Sequence, residues 1–241
     1  MENKNENTAG PEIPFLKWGF KVLILLAICV SVFVLLNPFT QVKKDPSSSS
    51  PGKDSLRHEP RGNIMFDGNC ILDTLKSRIE WTGWKTTGMH TGTLRIRQSE
   101  LHVNSGIVTS GKVSMDMNSI LCSDIEDPKD NSELTEHLKD KDFFDATVFP
   151  VATFEITQVV KEAEGDGYRI TGDLIIKGIR KSISFPAVIR YVENKLYASA
   201  ELKINRTEFG IKYKSKSFFS DLGDKFIYDE FDLRLALVGS L

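Results

Sequence analysis

Tyr168-Arg169-Ile170-Thr171-Gly172-Asp173-Leu174-Ile175-Ile176 alternates in hydropathy along nearly its whole length. Tyr168, Ile170, Leu174 and Ile176 share one face with Gly172, while Arg169, Thr171 and Asp173 share the other. Successive side chains of an extended chain point to opposite faces, so this period of two marks a half-buried β-strand. The same period recurs on either side. In Ile107–Met117 the odd positions are Ile107, Thr109, Gly111, Val113, Met115 and Met117, and the even ones are mostly polar. Ala152, Phe154 and Ile156 alternate with Thr153, Glu155 and Thr157. Further faces are Ile183, Phe185, Ala187, Ile189 and Tyr191; Leu196, Ala198, Ala200, Leu202 and Ile204; and Ile227, Phe231, Leu233, Leu235 and Leu237. Shorter pieces stand at Ile79-Glu80-Trp81 and Leu94-Arg95-Ile96.

Turn-forming residues separate these runs at Gly165-Asp166-Gly167, Lys177-Gly178 and Glu193-Asn194-Lys195. Eight strands, each with one apolar face and joined by short connections, make an all-β antiparallel sheet. A sandwich or a closed barrel satisfies this pattern, and closure removes exposed edges. One long connection, from Asn118 to Pro150, interrupts the series. Within it Asn131–Lys139 reads as a short helix, with Ser132 as N-cap and Glu133 and Glu136 near its positive end. Leu134 and Leu138 lie four residues apart on one face of that helix, and if the strands close into a barrel that face is expected to cover its mouth.

The composition narrows the function. The chain has 241 residues, with 31 Lys and Arg against 33 Asp and Glu, a formal net charge of −2. Nucleic-acid binding depends on an excess of basic side chains facing phosphates, and none exists here. Three cysteines and four histidines fit no zinc template. No Gly-x-Ser-x-Gly, His-Glu-x-x-His or phosphate-binding loop occurs. The acidic run Asp124, Glu126, Asp127 and Asp130 lacks calcium-loop spacing and is interrupted by Pro128, so it reads as a solvated loop. No catalytic residue, metal or cofactor is expected.

The N-terminal quarter is different in kind. Residues 1–16 form a polar tail. From Val22 to Leu36 every residue is apolar except Ser31, and the run to Phe39 covers 18 residues. At 1.5 Å per residue that is about 27 Å, close to the thickness of a bilayer core. Lys17, Trp18 and Lys21 precede it, and Lys43 and Lys44 follow, as suits a membrane interface. Leu35-Leu36-Asn37 offers no small residues for signal cleavage, and bulky Ile28 precedes Cys29 where a lipoprotein signal needs a small residue. Residues 17–39 are therefore expected to be an uncleaved transmembrane helix. Residues 40–62, with Pro46-Ser47-Ser48-Ser49-Ser50-Pro51-Gly52, read as a disordered linker. Residues 63–241 form the folded domain, expected on the periplasmic or extracellular side.

Several segments of that domain, in order, resemble the YceI-like family of lipid-binding, lipocalin-like barrels. They are Trp81-Thr82-Gly83-Trp84-Lys85, Gly88-Met89-His90-Thr91-Gly92, His137-Leu138-Lys139, Asp142-Phe143-Phe144-Asp145, Phe149-Pro150-Val151-Ala152-Thr153-Phe154 and Ile204-Asn205-Arg206-Thr207-Glu208-Phe209-Gly210. The resemblance implies an eight-stranded antiparallel barrel that holds one long isoprenoid, quinone or fatty-acyl chain without chemistry. Protein interaction in the cell envelope and lipid modification remain as alternatives. A small barrel can also be filled by its own side chains. Gly111, Ala152, Gly172, Ala187, Ala198 and Ala200 are expected to leave room for a tunnel. Its lining is expected to comprise Trp81, Val113, Met115, Phe154, Ile156, Ile170, Leu174, Phe185, Ala198, Leu202 and Phe231. His90, His137 and Arg206 are polar candidates, for a ligand head group or for structure. Cys70 and Cys122 offer a pair that could oxidise outside the cytoplasm. Ligand identity and oligomeric state are not encoded legibly.

Overall fold

The computed structural model describes residues 67–241 apart from positions 164 and 166. The readings of residues 1–16, 17–39 and 40–62 lie outside these residues. Nine strands follow one another: β1 Gly68–Leu72, β2 Arg78–Lys85, β3 Gly88–Asn104, β4 Ile107–Cys122, β5 Val151–Lys161, β6 Gly167–Ile176, β7 Ile179–Val192, β8 Lys195–Asn205 and β9 Ile227–Ser240. One helix, α1 Pro128–Lys139, stands between β4 and β5. All strand pairings are antiparallel, and β3 pairs with β4 to close the sheet into a ring.

Nine strands make an eight-stave barrel because β1 and β2 share one stave. β2 pairs with the first part of β3 and with β9 up to Ala236, while β1 pairs with Leu101–Val103 of β3 and with Gly239–Ser240 of β9. The Asp73–Ser77 turn separates the two pieces, and Asp73 Oδ1 accepts from the backbone N–H groups of Leu75 and Lys76. Expected alternation appears directly: in β6, Tyr168, Ile170, Gly172, Leu174 and Ile176 are buried and Arg169 is exposed. The turns agree too. Lys177 and Gly178 both have positive φ (51° and 73°), the backbone that a two-residue hairpin turn needs to match strand twist.

The helix begins earlier than its sequence suggests. Asp127, not Ser132, is its N-cap, and its carboxylate accepts from the backbone N–H of Lys129 and Asp130. Pro128 opens the helix instead of interrupting the segment, because the first helical position needs no N–H and favours the fixed φ of proline. The long connection ends where β5 begins: Val151, the first residue of β5, stands opposite Asp116, and β4 runs on past that point. The remainder of β4 carries α1 beside it. Asn131 Nδ2 donates to the carbonyls of Cys122 (3.1 Å) and Ile125 (2.9 Å), and Thr135 Oγ1 accepts from Cys122 N (3.2 Å).

One expectation fails on geometry, and one open possibility is closed. Gly111 and Gly172 do not open the lumen. A Cβ on Gly172 would lie 2.5 Å from the Phe154 ring, and one on Gly111 would lie 2.6 Å from Leu101 Cδ2. Their missing side chains admit a neighbour's side chain rather than a ligand. Cys70 and Cys122 are both free thiols. Cys70 sits opposite Leu101 of β3 and Cys122 opposite Gly92. Nine residues of strand, roughly 30 Å, separate those positions.

Gly92 gives the sharpest test of how tightly the ring is packed. A Cβ there would meet the Leu121 carbonyl oxygen at 1.9 Å and the Trp81 indole at 2.4 Å, whereas at Gly83 it would meet nothing within 4 Å. Gly92→Ala is expected to destabilise the barrel by about 1–3 kcal/mol. Gly83→Ala should leave thermal and urea midpoints nearly unchanged.

Candidate ligand-binding site

The inward faces enclose two apolar cavity segments of about 160 and 150 Å³. They share Leu94, Met115, Leu174 and Leu233 as walls, which places them end to end along the barrel interior. On β9 the lining runs from Ile227 to Leu237, ten residue steps. That is roughly 33 Å of strand, or about 25 Å along the axis of a barrel whose strands tilt 35–45°.

All eleven residues expected in the lining face this passage. Trp81 and Phe231 line the outer segment, and Met115 and Leu174 line both. Val113, Phe154, Ile156, Ile170, Phe185, Ala198 and Leu202 line the inner one. Cross-strand pairing brings them together: Phe154 stands opposite both Val113 and Leu174, and Ile170 opposite Phe185. The Phe154 and Phe185 rings meet at 5.6 Å between centroids.

The outer segment also uses residues that strand periodicity does not reveal. Leu134 and Leu138 of α1, with Phe143 and Phe144 after it, form one wall of the mouth. Phe144 packs edge-on against Phe231 at 6.3 Å. The segment is pinned by the β6–β7 turn, where Lys177 Nζ donates to the carbonyls of Lys141 (3.1 Å) and Phe143 (2.8 Å). The adjacent pair in Asp142-Phe143-Phe144-Asp145 was the available signal: two large apolar residues in a polar connection require burial somewhere.

Ionisable side chains that can carry charge near neutral pH line the outer segment only. Lys85, His90, Arg206 and Glu230 stand there, whereas the inner segment has Ser199 as its one polar residue. His90 Nε2 lies 3.0 Å from Lys85 Nζ and its Nδ1 lies 3.1 Å from Asp124 Oδ2. The lysine can only donate, so the imidazole accepts at Nε2 and donates from Nδ1 to the carboxylate. Asp124 also accepts from Thr91 N at 3.0 Å and Cys122 Sγ at 3.1 Å. Burial alone would raise the Asp124 carboxyl, but the hydrogen bonds from Cys122, Thr91 and His90 hold it below its ordinary value. Burial, then the bond to Asp124, pushes the Cys122 thiol up. His90, Cys122 and Asp124 place their donor atoms within 4.8 Å of one another. Their internal hydrogen bonds already occupy the His90 nitrogen that a cation would need.

The other two polar candidates are structural. Arg206 is 4% exposed and donates to the carbonyls of Tyr228, Ile211 and Ile227, all at 3.0 Å. Burial lowers its pKa, and the Asp229 carboxylate 3.6 Å away counters that. His137 packs edge-on against Phe143 (5.1 Å) and Tyr213 (4.8 Å), joining the helix to the chain after β8.

A closed antiparallel barrel with an apolar passage and a helix at its mouth defines a class of hydrophobic-ligand binders. Comparison with known proteins then places the chain: the YceI-like domain model matches residues 71–238, and the protein belongs to the YceI-like family. A UPF0312 protein of Photorhabdus laumondii is 31% identical over 109 residues, 45% of this chain and 54% of that one. A UPF0312 protein of Yersinia pestis is 31% identical over 93 residues, 39% of this chain and 47% of that one. The chain thus spans about half the length of the curated relatives it matches. Among solved structures, Burkholderia cenocepacia BcnA superposes with a TM-score of 0.57 at 22% identity, over 69% of this chain and 98% of that one. A polyisoprenoid binding domain from Saccharophagus degradans, implicated in plant cell wall breakdown, gives 0.51 at 14% identity, over 71% and 97%. Nearly the whole of each solved chain corresponds to this barrel, which therefore stands as a folding unit.

The hold of α1 on the mouth is testable. Leu134→Ser with Leu138→Ser is expected to speed dissociation of a bound fluorescent lipid on the order of tenfold, the factor that ~1.4 kcal/mol of closing free energy sets. The urea midpoint should move little. An unchanged release rate would exclude a gating role.

Proposed function

We propose that the barrel binds one long hydrophobic chain, an isoprenoid such as a quinone tail or a fatty acyl chain, and sequesters or carries it without catalysis. The apolar cavity inside the barrel is the observation that carries this reading. Burying a chain there yields roughly 0.8 kcal/mol per methylene before ordering costs, enough for tight binding without directional contacts. The polar residues at the mouth suit a head group that stays outside while the tail enters first. Membership of the YceI-like family and the fold shared with a polyisoprenoid binding domain support the same class of ligand.

Ala198→Phe separates this reading from a filled core. Ala198 lines the inner segment, half-buried, opposite Ile189 and Leu237. The variant is expected to keep near-normal melting when delipidated and to lose uptake of a radiolabelled or fluorescent polyisoprenoid. A filled core would instead lose about 1–3 kcal/mol through overpacking, with no uptake to lose.

We also propose that residues 17–39 anchor the protein in a membrane with the barrel outside the cytoplasm. The length of the Val22–Phe39 run and its Lys and Trp flanks support this. Protease added to intact spheroplasts should digest the barrel. Protection of the barrel, or a mature N-terminus beginning at or beyond Cys29, would overturn the arrangement.

A further inference from the structure

The segment joining β8 to β9 carries Lys212-Tyr213-Lys214-Ser215-Lys216-Ser217-Phe218-Phe219. It is a built turn rather than a slack one. Ser215 is fully buried and bridges to Ile227, the backbone N–H groups of Phe218 and Phe219 donate to the Ser215 carbonyl, and Ile227 N donates to the Lys214 carbonyl at 2.9 Å. This framework holds Phe218 and Phe219 outward, at 48% and 49% exposure. The lysines lie beside rings: Lys212 Nζ is 4.4 Å from the Phe218 centroid and Lys216 Nζ is 5.0 Å from that of Phe226. Tyr228, 50% exposed, continues the patch and also lines the mouth of the passage. The tip of the β2–β3 hairpin joins it, with Thr86 Oγ1 donating to the Asp224 carbonyl and Trp84 and Met89 exposed at 40% and 48%.

Exposed aromatic rings interleaved with ammonium groups suit one environment well. Rings enter the boundary between head groups and acyl chains, while lysines meet lipid phosphates. Residues 211–226 carry four lysines against two carboxylates, Asp221 and Asp224, in a chain whose net charge is −2. From this juxtaposition we infer that the rim formed by the 211–226 segment and the β2–β3 tip docks on an anionic lipid surface, with the mouth of the passage facing the bilayer. The same segment touches α1, since Tyr213 packs edge-on against His137 and at a tilt against Phe143. Docking is thereby coupled to the helix that covers the mouth, and this coupling rests on the ligand-binding reading above.

The experiment uses the barrel, residues 63–241, delipidated and mixed with sucrose-loaded vesicles. It is expected to sediment with phosphatidylcholine vesicles containing phosphatidylglycerol, in a salt-sensitive manner, and not with phosphatidylcholine alone. Phe218→Ser with Phe219→Ser should weaken partitioning on the order of tenfold, as burial of exposed ring area sets membrane affinity together with charge. Lys212→Gln, Lys214→Gln and Lys216→Gln together should weaken it on the order of a hundredfold, at about 1 kcal/mol per basic residue. Equal binding to neutral vesicles, unchanged binding of the phenylalanine variant, or equal retention on soluble polyglutamate would each overturn the docking. Uptake of a polyisoprenoid delivered from ethanol, without vesicles, is measured in parallel and should be unaffected in both variants. Docking without any uptake would overturn the ligand-binding reading and the coupling to the lid, while leaving the docking surface in place.

Discussion

Antiparallel pairing of β3 with β4 along nearly their full length turns a curled sheet into a ring, and the other features depend on that closure. β3 and β4 are 17 and 16 residues long, more than any other strand, and their ladder shifts register at three places. Each shift adds local twist and bends the strands round the barrel. Closure gives every stave a hydrogen-bonded neighbour on each side, although not along its whole length. Closure also decides where α1 must go: β4 outruns β5, and an unpaired strand end would expose its backbone groups. The side chains of Asn131 and Thr135 meet the Cys122 backbone at that end.

The sheet was legible because it rests on one physical rule. An inward face of Tyr168, Ile170, Leu174 and Ile176 is repeated strand after strand, and period two has no other reading. The tunnel lining followed from the same rule, since a residue's face fixes whether it sees the lumen. What escaped depended on pairings distant in sequence. No local pattern shows that β1 and β2 fill one stave, because only their common partners β3 and β9 make them collinear. Glycine is ambiguous for a similar reason. Gly172 looks like free space until the Phe154 ring is placed above it. Asp127-Pro128 was misread through the charge run around it, although an acidic cap before proline is a helix start in its own right.

The polarity of the site runs along the barrel axis. The inner segment is walled by apolar side chains and Ser199, with no ionisable residue among them. At the mouth, Lys85, His90 and Asp124 form a hydrogen-bonded chain beside the apolar wall. An amphiphile entering tail-first meets no charge to desolvate, whereas one entering head-first would have to bury its head without partners. Orientation follows from that asymmetry without any single specific contact.

Release is the harder half of such a cycle. A chain of about ten buried methylenes would lose on the order of 8 kcal/mol on passing into water. Binding strong enough to be useful therefore makes escape through water slow, whatever the lid does. An apolar acceptor at the mouth removes most of that cost, because the tail never crosses water. The geometry at the rim fits this requirement. Tyr228 belongs both to the mouth and to the exposed patch, and Tyr213 ties the segment bearing Phe218 and Phe219 to α1. A barrel that surrenders its chain only where a bilayer is present avoids the conflict between affinity and exchange.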